Sequence, residues 1–353
     1  MKAQKRIRDY GISIGRMKTG KLNAITDIKG VKVGHVTLNE GEIKTGVTAL
    51  LPQGGNLFRE KVMASCYVIN GFGKSMGLIQ LEELGTVESP IVLTNTFSIG
   101  TAFDGVLDYM LEKNEDIGDT TGTINPIVCE CNDGYLNNIR KRKVEKSHVI
   151  TAIKNAETDF EEGSVGAGTG MSCLGLKGGI GTASRVVTLD GNGYIVGSLV
   201  LSNFGALENF MLDGVKAGES IKALLSESSQ EKDKGSIIMI IATDAPLSER
   251  QLKRVCKRAV IGLSRTGSFI GNGSGDIAIA FTTANRIKHY EEKDICEIRV
   301  LSDNKIDEVF KAAAECIEES ILNSLICADT TVGRDGHTRH SLKEFIDAIV
   351  SNH

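Results

Sequence analysis

The dipeptide Gly235-Ser236 places a hydroxyl side chain directly after an uncrowded carbonyl group, as backbone self-cleavage requires. A polar stretch precedes it at 226–234, and an apolar run follows it at 237–241. The serine hydroxyl could attack the glycine carbonyl, and an exposed, mobile loop at 226–234 would let the new chain ends separate. However, a Gly-Ser pair at the start of a strand is more commonly a turn. On these residues alone, the turn is the favoured interpretation.

Ser274 and Asp276 form a second candidate group, just before the apolar run 277–283. Residues two apart in a strand share a face, so this hydroxyl and this carboxylate can be presented to one neighbour. A Ser-Gly-Asp turn is the favoured interpretation of these residues taken alone.

Two polar residues interrupt or end apolar runs elsewhere. Glu130 is a charged residue inside the apolar run 127–131, which is unusual for a buried strand. Asn203 ends an apolar run shortly before Gly205. Its side-chain amide could donate a hydrogen bond to an oxyanion, although a turn residue in front of the glycine is the alternative.

Other common catalytic groups are not indicated. The six histidines show no obvious triad, and His35, His337 and His340 lie in glycine-rich segments where core or turn roles serve equally well. Cys129 and Cys131 are spaced too closely for the usual zinc knuckle, and no further Cys or His pair completes four ligands. The 40 glycines form neither a P-loop nor a dinucleotide fingerprint. We therefore predict no metal and no cofactor.

Composition narrows the class of protein. The 353 residues carry a formal net charge of -4, with 5% aromatic residues and no Trp, which does not favour a nucleic-acid binder. The short basic run at 140–143 is interpreted as a solvated helix end or turn. Residues 1–21 lack the apolar core of a secretory signal, and no stretch reaches the roughly 20 apolar residues of a membrane span. A cytoplasmic protein is predicted.

Five cysteines lie singly inside apolar runs, which predicts buried free thiols and fits a reducing compartment. They are Cys66, Cys173, Cys256, Cys316 and Cys327.

The elements that must position these residues are strands and helices in mixed order. Most apolar runs are continuous rather than alternating, so the predicted strands are covered on both faces. With helices packed over such strands, the sequence predicts a layered α/β fold. Strands are predicted at 47–51, 63–70, 91–94, 127–131, 183–189, 194–202, 236–242 and 277–283. Helices are predicted at 99–113, 144–156, 215–225, 248–265 and 306–328, and Ser248 with Gln251 forms a capping box at the start of the fourth helix.

Six motifs in a fixed order resemble the DmpA-type aminopeptidases, the family of L-aminopeptidase/D-esterases and β-peptidyl aminopeptidases. The resemblance spans nearly the whole chain. The motifs are TDIKGVKVGH (26–35), PIVLTNTFSIG (90–100), GSVGAGTG (163–170), GGIGTASR (178–185), GSIIMIIATDAPLSERQLKR (235–254) and TTVGRDG (330–336).

The resemblance implies a four-layer αββα sandwich, like that of the N-terminal-nucleophile hydrolases but with different connectivity, as also in ornithine acetyltransferase. It implies one α/β domain over 1–353, which cleaves itself between Gly235 and Ser236 into an α chain, 1–235, and a β chain, 236–353. Family members commonly form tetramers of the cleaved pair, so a homo-oligomer is expected.

The resemblance also assigns roles to the candidate residues. The freed α-amine of Ser236 acts as general base for its own hydroxyl, which forms an acyl-enzyme, and Asn203 stabilises the oxyanion. Ser274 and Asp276 position and polarise the nucleophile, and Glu130 binds the substrate's ammonium group. The expected substrates are short peptides, amino-acid amides or esters.

Two positions depart from the family pattern. The better-known members have Glu where this chain has Asp276, which keeps the charge on a side chain shorter by one methylene. The family's aromatic residue two positions after the amine-binding Glu corresponds to Asn132, unless Tyr135 fills that space. The preferred side chain and stereochemistry of the substrate therefore remain open.

Three alternative functions are compatible with these residues. An acyltransferase of the ornithine acetyltransferase type cleaves itself before a Thr, so Ser236 favours the peptidase. A polyamide-oligomer hydrolase on the same fold and an uncleaved, non-catalytic scaffold are the others.

Overall fold

The computed structural model describes residues 4–225 and 235–350, so the loop predicted at 226–234 lies outside the described residues. Two sheets dominate the architecture. The strands are β1 (Lys32–Glu40), β2 (Ile43–Leu51), β3 (Glu60–Gly71), β4 (Thr86–Val87), β5 (Ile91–Asn95), β6 (Ile127–Cys131), β7 (Ser172–Cys173), β8 (Leu176–Lys177), β9 (Gly179–Leu189), β10 (Asn192–Asn203), β11 (Gly235–Thr243), β12 (Ser274–Lys288), β13 (Thr331–Val332) and β14 (Thr338–Arg339).

The larger sheet has the order β4-β3-β12-β11-β10-β9, and the smaller has the order β1-β2-β5-β6. In the larger sheet β11 and β12 run parallel, while the other neighbours are antiparallel. The strands β7 and β8 form one small hairpin, and β13 and β14 form another.

The described residues form eight α-helices. They are α1 (Leu78–Leu84), α2 (Ile99–Lys113), α3 (Lys146–Lys154), α4 (Ala217–Leu225), α5 (Glu249–Cys256), α6 (Ala259–Arg265), α7 (Asp307–Ile326) and α8 (Ile346–Val350). Helices α2 and α3 pack on the smaller sheet, and α5 and α7 pack on the larger one.

Strand β11 illustrates why continuous apolar runs form the centre of this fold. Ile237 and Met239 belong to the core between the larger sheet and its helices, whereas Ile238 and Ile240 belong to the core between the two sheets. Since successive side chains of a strand point to opposite faces, a strand between two cores needs apolar residues at every position. A third core separates the smaller sheet from α2 and α3. The predicted four-layer αββα sandwich is confirmed.

The predicted elements coincide with the observed ones, with one correction. Each predicted strand lies within an observed strand, and the capping box forms, with Gln251 N donating to Ser248 Oγ at 3.3 Å. The single helix predicted at 248–265 is wrong, because it divides into α5 and α6 at Lys257 and Arg258. There the Arg258 amide bonds to Val255 O, three residues back, and the new direction lets Gly262 pack against the backbone of Ala314 in α7.

The five cysteines predicted as buried free thiols are buried and unpaired. Within residues 4–225 and 235–350, no helix is both long enough and apolar enough to cross a lipid bilayer.

Candidate active site

A pocket of about 880 Å³ opens where the ends of the two sheets meet. Its lining includes Gly235 and Ser236 from β11, Asn203 from β10, and Glu130 from β6. Four of the six candidate residues from the sequence therefore share one cavity, although they are spread over more than 100 positions of the chain.

Gly235 and Ser236 begin β11 in an unusual local geometry. Ser236 is buried, and its Oγ donates a hydrogen bond of 2.7 Å to the carbonyl oxygen of Gly235. The backbone N–H of Gly275 donates to the same Oγ at 3.2 Å. Gly235 has φ +137°, and a Cβ built there would lie 1.9 Å from the carbonyl oxygen of Asn203. Only glycine fits this position without a shift of the backbone.

Strand register brings the other candidates to this dipeptide. Asn203, the last residue of β10, pairs with Ser236 across the antiparallel ladder. On the other side, Ser274 pairs with Gly235 and Gly275 pairs with Ser236 across the parallel ladder. The Gly235-Ser236 peptide is thus flanked on one edge by the end of β10, at Asn203, and on the other by the start of β12.

Asn203 is held by hydrogen bonds at both ends of its amide. Its Oδ1 accepts from the backbone N–H of Ser172 at 2.9 Å, and its Nδ2 donates to the carbonyl oxygen of Asn132 at 3.1 Å. These partners assign the orientation of the amide, with Nδ2 as the donor end. An NH₂ group carries two donors, so the Asn132 carbonyl uses one of them.

Ser274 and Asp276 are hydrogen-bonded to each other, with Ser274 Oγ donating to Asp276 Oδ1 at 2.6 Å. Asp276 is completely buried. The two side chains share a face of β12, and the residue between them supplies the N–H that reaches Ser236 Oγ. Asn70 contacts the same segment and was not among the residues that the sequence indicated. Its Nδ2 donates to the carbonyl oxygen of Ser274 and lies 3.3 Å from that of Gly271, which fixes the turn before β12.

Glu130 is a buried carboxylate at the end of β6. Its Oε1 accepts from the backbone N–H of Lys74 at 2.9 Å, and its Oε2 accepts from the hydroxyl of Thr96. A Cβ built on Gly73 would lie 3.7 Å from Glu130 Oε1 and 3.8 Å from Gly275 Cα, so the carboxylate and the backbone beside the serine flank the same glycine. Thr96 lies in the 90–100 motif, but nothing in the sequence connected it with Glu130.

Both Asn132 and Tyr135 line the pocket. Asn132 contributes its backbone carbonyl, which binds Asn203. The Tyr135 ring stacks on His337 at a centroid distance of 4.6 Å, and the Arg339 guanidinium lies 4.0 Å from its centroid. An aromatic ring therefore reaches the pocket wall from position 135.

His35, in contrast, is a structural histidine. Its Nδ1 lies 2.9 Å from Thr48 Oγ1, and burial lowers its pKa to about 4. The neutral ring joins β1 to β2. In the part of the chain that the structure describes, no three His, Cys, Asp or Glu side chains are grouped as metal ligands would be.

The sequence is similar to those of known peptidases over most of its length. The family model for peptidase family S58 matches residues 23–339. A β-peptidyl aminopeptidase, BapA, from Sphingosinicella microcystinivorans is 39% identical, over 94% of this chain and 88% of the relative.

Two solved structures share the fold over nearly their whole length. A protein from Pyrococcus horikoshii OT3 is 56% identical with a TM-score of 0.93, covering 99% of both chains. The L-aminopeptidase D-Ala-esterase/amidase from Ochrobactrum anthropi is 35% identical with a TM-score of 0.92, covering 98% of both chains. Its structure is described as a new variant among the Ntn hydrolase fold, which confirms the fold class expected from the sequence.

The backbone at position 235 generates a testable prediction. Gly235→Ala should lower the free energy of unfolding by about 1–3 kcal/mol, because alanine is strained at this φ and its Cβ overlaps the Asn203 carbonyl. Both this variant and its control are made in a Ser236→Ala chain, so that the self-cleavage expected from the sequence does not interfere, and are measured by urea unfolding.

Gly273→Ala is the matched control. A Cβ at Gly273, in the same pocket, has nothing within 4 Å, so its effect should stay within about 1 kcal/mol. Equal stability of the two variants would contradict the account of Gly235.

Proposed function

We propose, since this chain belongs to peptidase family S58 and is a hydrolase of the aminopeptidase type, that it is a self-processing serine aminopeptidase. In this proposal, the chain cuts its own Gly235-Ser236 bond, and the freed Ser236 then serves as the catalytic nucleophile. The observation that carries the proposal is the 2.7 Å contact between Ser236 Oγ and the carbonyl oxygen of the preceding residue, inside the pocket that also holds Glu130.

In the proposal, self-cleavage takes two steps. Ser236 Oγ adds to the carbonyl carbon of Gly235, the peptide C–N bond breaks, and the nitrogen of Ser236 takes the hydroxyl proton. The product is an ester between Gly235 and Ser236 Oγ beside a free amine. Water then hydrolyses the ester, which leaves a carboxylate on Gly235 and restores the hydroxyl of Ser236.

Cleavage supplies a general base as well as a nucleophile. A serine hydroxyl needs a base to become a strong nucleophile, and an unperturbed α-amine has a pKa of about 7.7–8.0, close to the working pH. In turnover, Ser236 Oγ attacks the substrate carbonyl while the amine takes the hydroxyl proton and passes it to the leaving amine. Water then attacks the acyl-Ser236 ester, and the amine accepts a proton from the water. The ester C–O bond breaks, and the amine returns the proton to Oγ, which restores the hydroxyl of Ser236.

Neighbouring side chains stabilise the charges that develop. The Nδ2 of Asn203, paired in register with Ser236, donates to the oxyanion of the tetrahedral intermediate. In the ladder between β11 and β12, Gly235 pairs with Ser274 and Ser236 pairs with Gly275. The nitrogen of Ser236 therefore lies opposite the start of β12. The freed amine therefore forms beside the Ser274-Asp276 pair, whose buried carboxylate favours its protonated form during proton transfer.

Glu130 accounts for specificity toward a free amino terminus. Its carboxylate is buried, and two hydrogen bonds from Thr96 and the Lys74 backbone hold it in place. An ammonium group entering the pocket gains a charge-assisted hydrogen bond there. Because β-peptidyl aminopeptidases are among the relatives, we include β-aminoacyl peptides and amides with the L- and D-aminoacyl substrates.

The two products of cleavage stay together in one folded unit. Strands β11 and β12 would belong to chain 236–353, and they lie between β3 and β10 of chain 1–235. Arg185, which is completely buried, bonds across the same division to Glu315 at 2.9 Å and to Glu319 at 2.6 Å. Removing one partner of a buried ion pair costs several kcal/mol, so separation of the chains is strongly opposed.

The proposal includes a cytoplasmic location and assembly into tetramers of the cleaved pair, as in the family that the sequence resembles. The eight cysteines are free and seven of them are buried, which is usual for proteins in a reducing compartment.

The direct test of the nucleophile is Ser236→Ala. This variant should remain one chain of 37.9 kDa and should hydrolyse no aminoacyl p-nitroanilide, since both reactions require the same hydroxyl. Ser89→Ala is the matched control, because Ser89 is also buried and also donates to a backbone carbonyl, that of Pro90, outside the pocket. The control should be processed and active. Loss of turnover with processing intact in Ser236→Ala would contradict a shared nucleophile.

The role of Glu130 predicts a separate effect. Glu130→Gln should raise KM for substrates with a free ammonium group and lower kcat/KM by about 30-fold or more, as expected when one partner of a buried charge pair is lost. Processing should continue, since it involves no ammonium substrate. Glu88→Gln is the control for a buried carboxylate, paired with Lys61 outside the pocket, and should leave KM unchanged. An unchanged KM in Glu130→Gln would remove this residue from substrate binding.

A further inference from the structure

Lys177 is a completely buried lysine close to the proposed active site. It ends the hairpin of β7 and β8, and its ammonium group donates three hydrogen bonds to backbone carbonyls. The acceptors are Gly168 at 2.9 Å, Met171 at 3.0 Å and Gly178 at 2.6 Å. Burial lowers the pKa of Lys177 to about 7. Burying such a group is costly unless it is hydrogen-bonded, and the three carbonyls offset that cost.

One of these three bonds leads directly to the oxyanion candidate. The carbonyl of Met171 and the N–H of Ser172 belong to the same peptide group, which is planar, so fixing one end fixes the other. The carbonyl end accepts from Lys177, and the N–H end donates to Asn203 Oδ1 at 2.9 Å. Lys177 and the Asn203 amide therefore bind opposite ends of a single peptide group.

This connection determines which way the Asn203 amide faces. With Oδ1 bound to Ser172 N, the NH₂ group must point to the other side, where it donates to Asn132 O. Hydrogen bonds in such a chain polarise one another. Donation from Lys177 Nζ to Met171 O, strongest when the amine is charged, makes the Ser172 N–H a stronger donor, and in turn makes the Asn203 N–H groups stronger donors.

We propose that Lys177 is a positioning residue for the aminopeptidase reaction, acting through the Met171-Ser172 peptide to orient and polarise the Asn203 amide. This inference rests on the proposed function, because it assumes that Asn203 stabilises the oxyanion. The amide of Gly178 also donates to Met171 O, at 3.0 Å. The peptide thus keeps one of its two bonds when Lys177 is changed, and a partial loss is expected rather than a complete one.

Lys177→Met tests the proposal by removing the ammonium and keeping most of the side-chain volume. Turnover is expressed per molecule of chain beginning at Ser236, so that any change in processing is separated from catalysis. We expect kcat to fall about tenfold, less than the roughly 10²–10³ that follows complete loss of an oxyanion donor. KM should stay within about twofold, because the oxyanion interaction belongs to the transition state.

Thr169→Val is the matched control for a merely structural effect. Thr169 is buried in the same loop, and its Oγ1 donates to the Gly166 carbonyl, which is not linked to Asn203. Its kcat should be unchanged. Equal loss of kcat in Thr169→Val and Lys177→Met, at equal thermal stability, would overturn the positioning role.

A double-mutant cycle with Asn203→Ala distinguishes this inference from the proposed function. If Lys177 acts through Asn203, adding Lys177→Met to Asn203→Ala should lower kcat by less than about twofold, because neighbours in one network are not additive. If Lys177→Met still lowers kcat tenfold in the Asn203→Ala background, the role of Lys177 is overturned and that of Asn203 stands. Full turnover in Asn203→Ala alone would overturn the proposed oxyanion donor, and the inference with it. Should Lys177→Met not fold, the same cycle is run with Lys177→Gln, which keeps a neutral donor.

Discussion

The register of β11 between β10 and β12 is the constraint on which the rest of the site depends. Along this strand alternate residues fill two different cores, so a slip by one residue would turn every apolar side chain to the wrong face. The same register sets Ser236 opposite Asn203 on one side and opposite Gly275 on the other. The packing of the apolar residues of the strand therefore also determines where the Gly235-Ser236 dipeptide lies.

The polar side chains of the site are buried, which raises the cost of any misplacement. Each is held by backbone groups or by a neighbouring hydroxyl: Asn203 by Ser172 N and Asn132 O, Glu130 by Lys74 N and Thr96. Contacts of this kind compensate the loss of water and also prevent the side chains from turning. In the proposed mechanism, the side chains of the pocket are in place before a substrate enters. The first bond that is cleaved belongs to the chain itself.

Much of the fold could be predicted because its cause is local. Continuous apolar runs predicted strands covered on both faces, and Ser248 with Gln251 predicted the start of a helix. The division of the following helix at Lys257 and Arg258 could not be predicted, since it depends on how α6 packs against α7. The sequence gives no sign of the break, because apolar residues repeat at helical spacing through it: Leu252, Val255, Cys256, Ala259, Val260 and Leu263.

The candidate site was harder to predict from the sequence, because it is assembled from residues that lie far apart along the chain. Ser236 and Ser274 stood out through their neighbours, and the resemblance to a family supplied roles that the residue types alone left open. Asn70 and Thr96 make contacts that join distant segments. Lys177 donates to backbone carbonyls of its own loop, and a backbone carbonyl leaves no mark in the amino-acid sequence. Whether Asn132 or Tyr135 reaches the pocket also depended on the path of the loop, and both do.

The central claim is that this chain cuts itself before Ser236. Intact mass and N-terminal sequencing of the purified wild-type protein test it most directly. The account predicts two tightly associated chains, one ending at Gly235 and one beginning at Ser236, whose masses add up to the 37.9 kDa chain plus one water. A single full-length species under all conditions, with no amino terminus at Ser236, would contradict it.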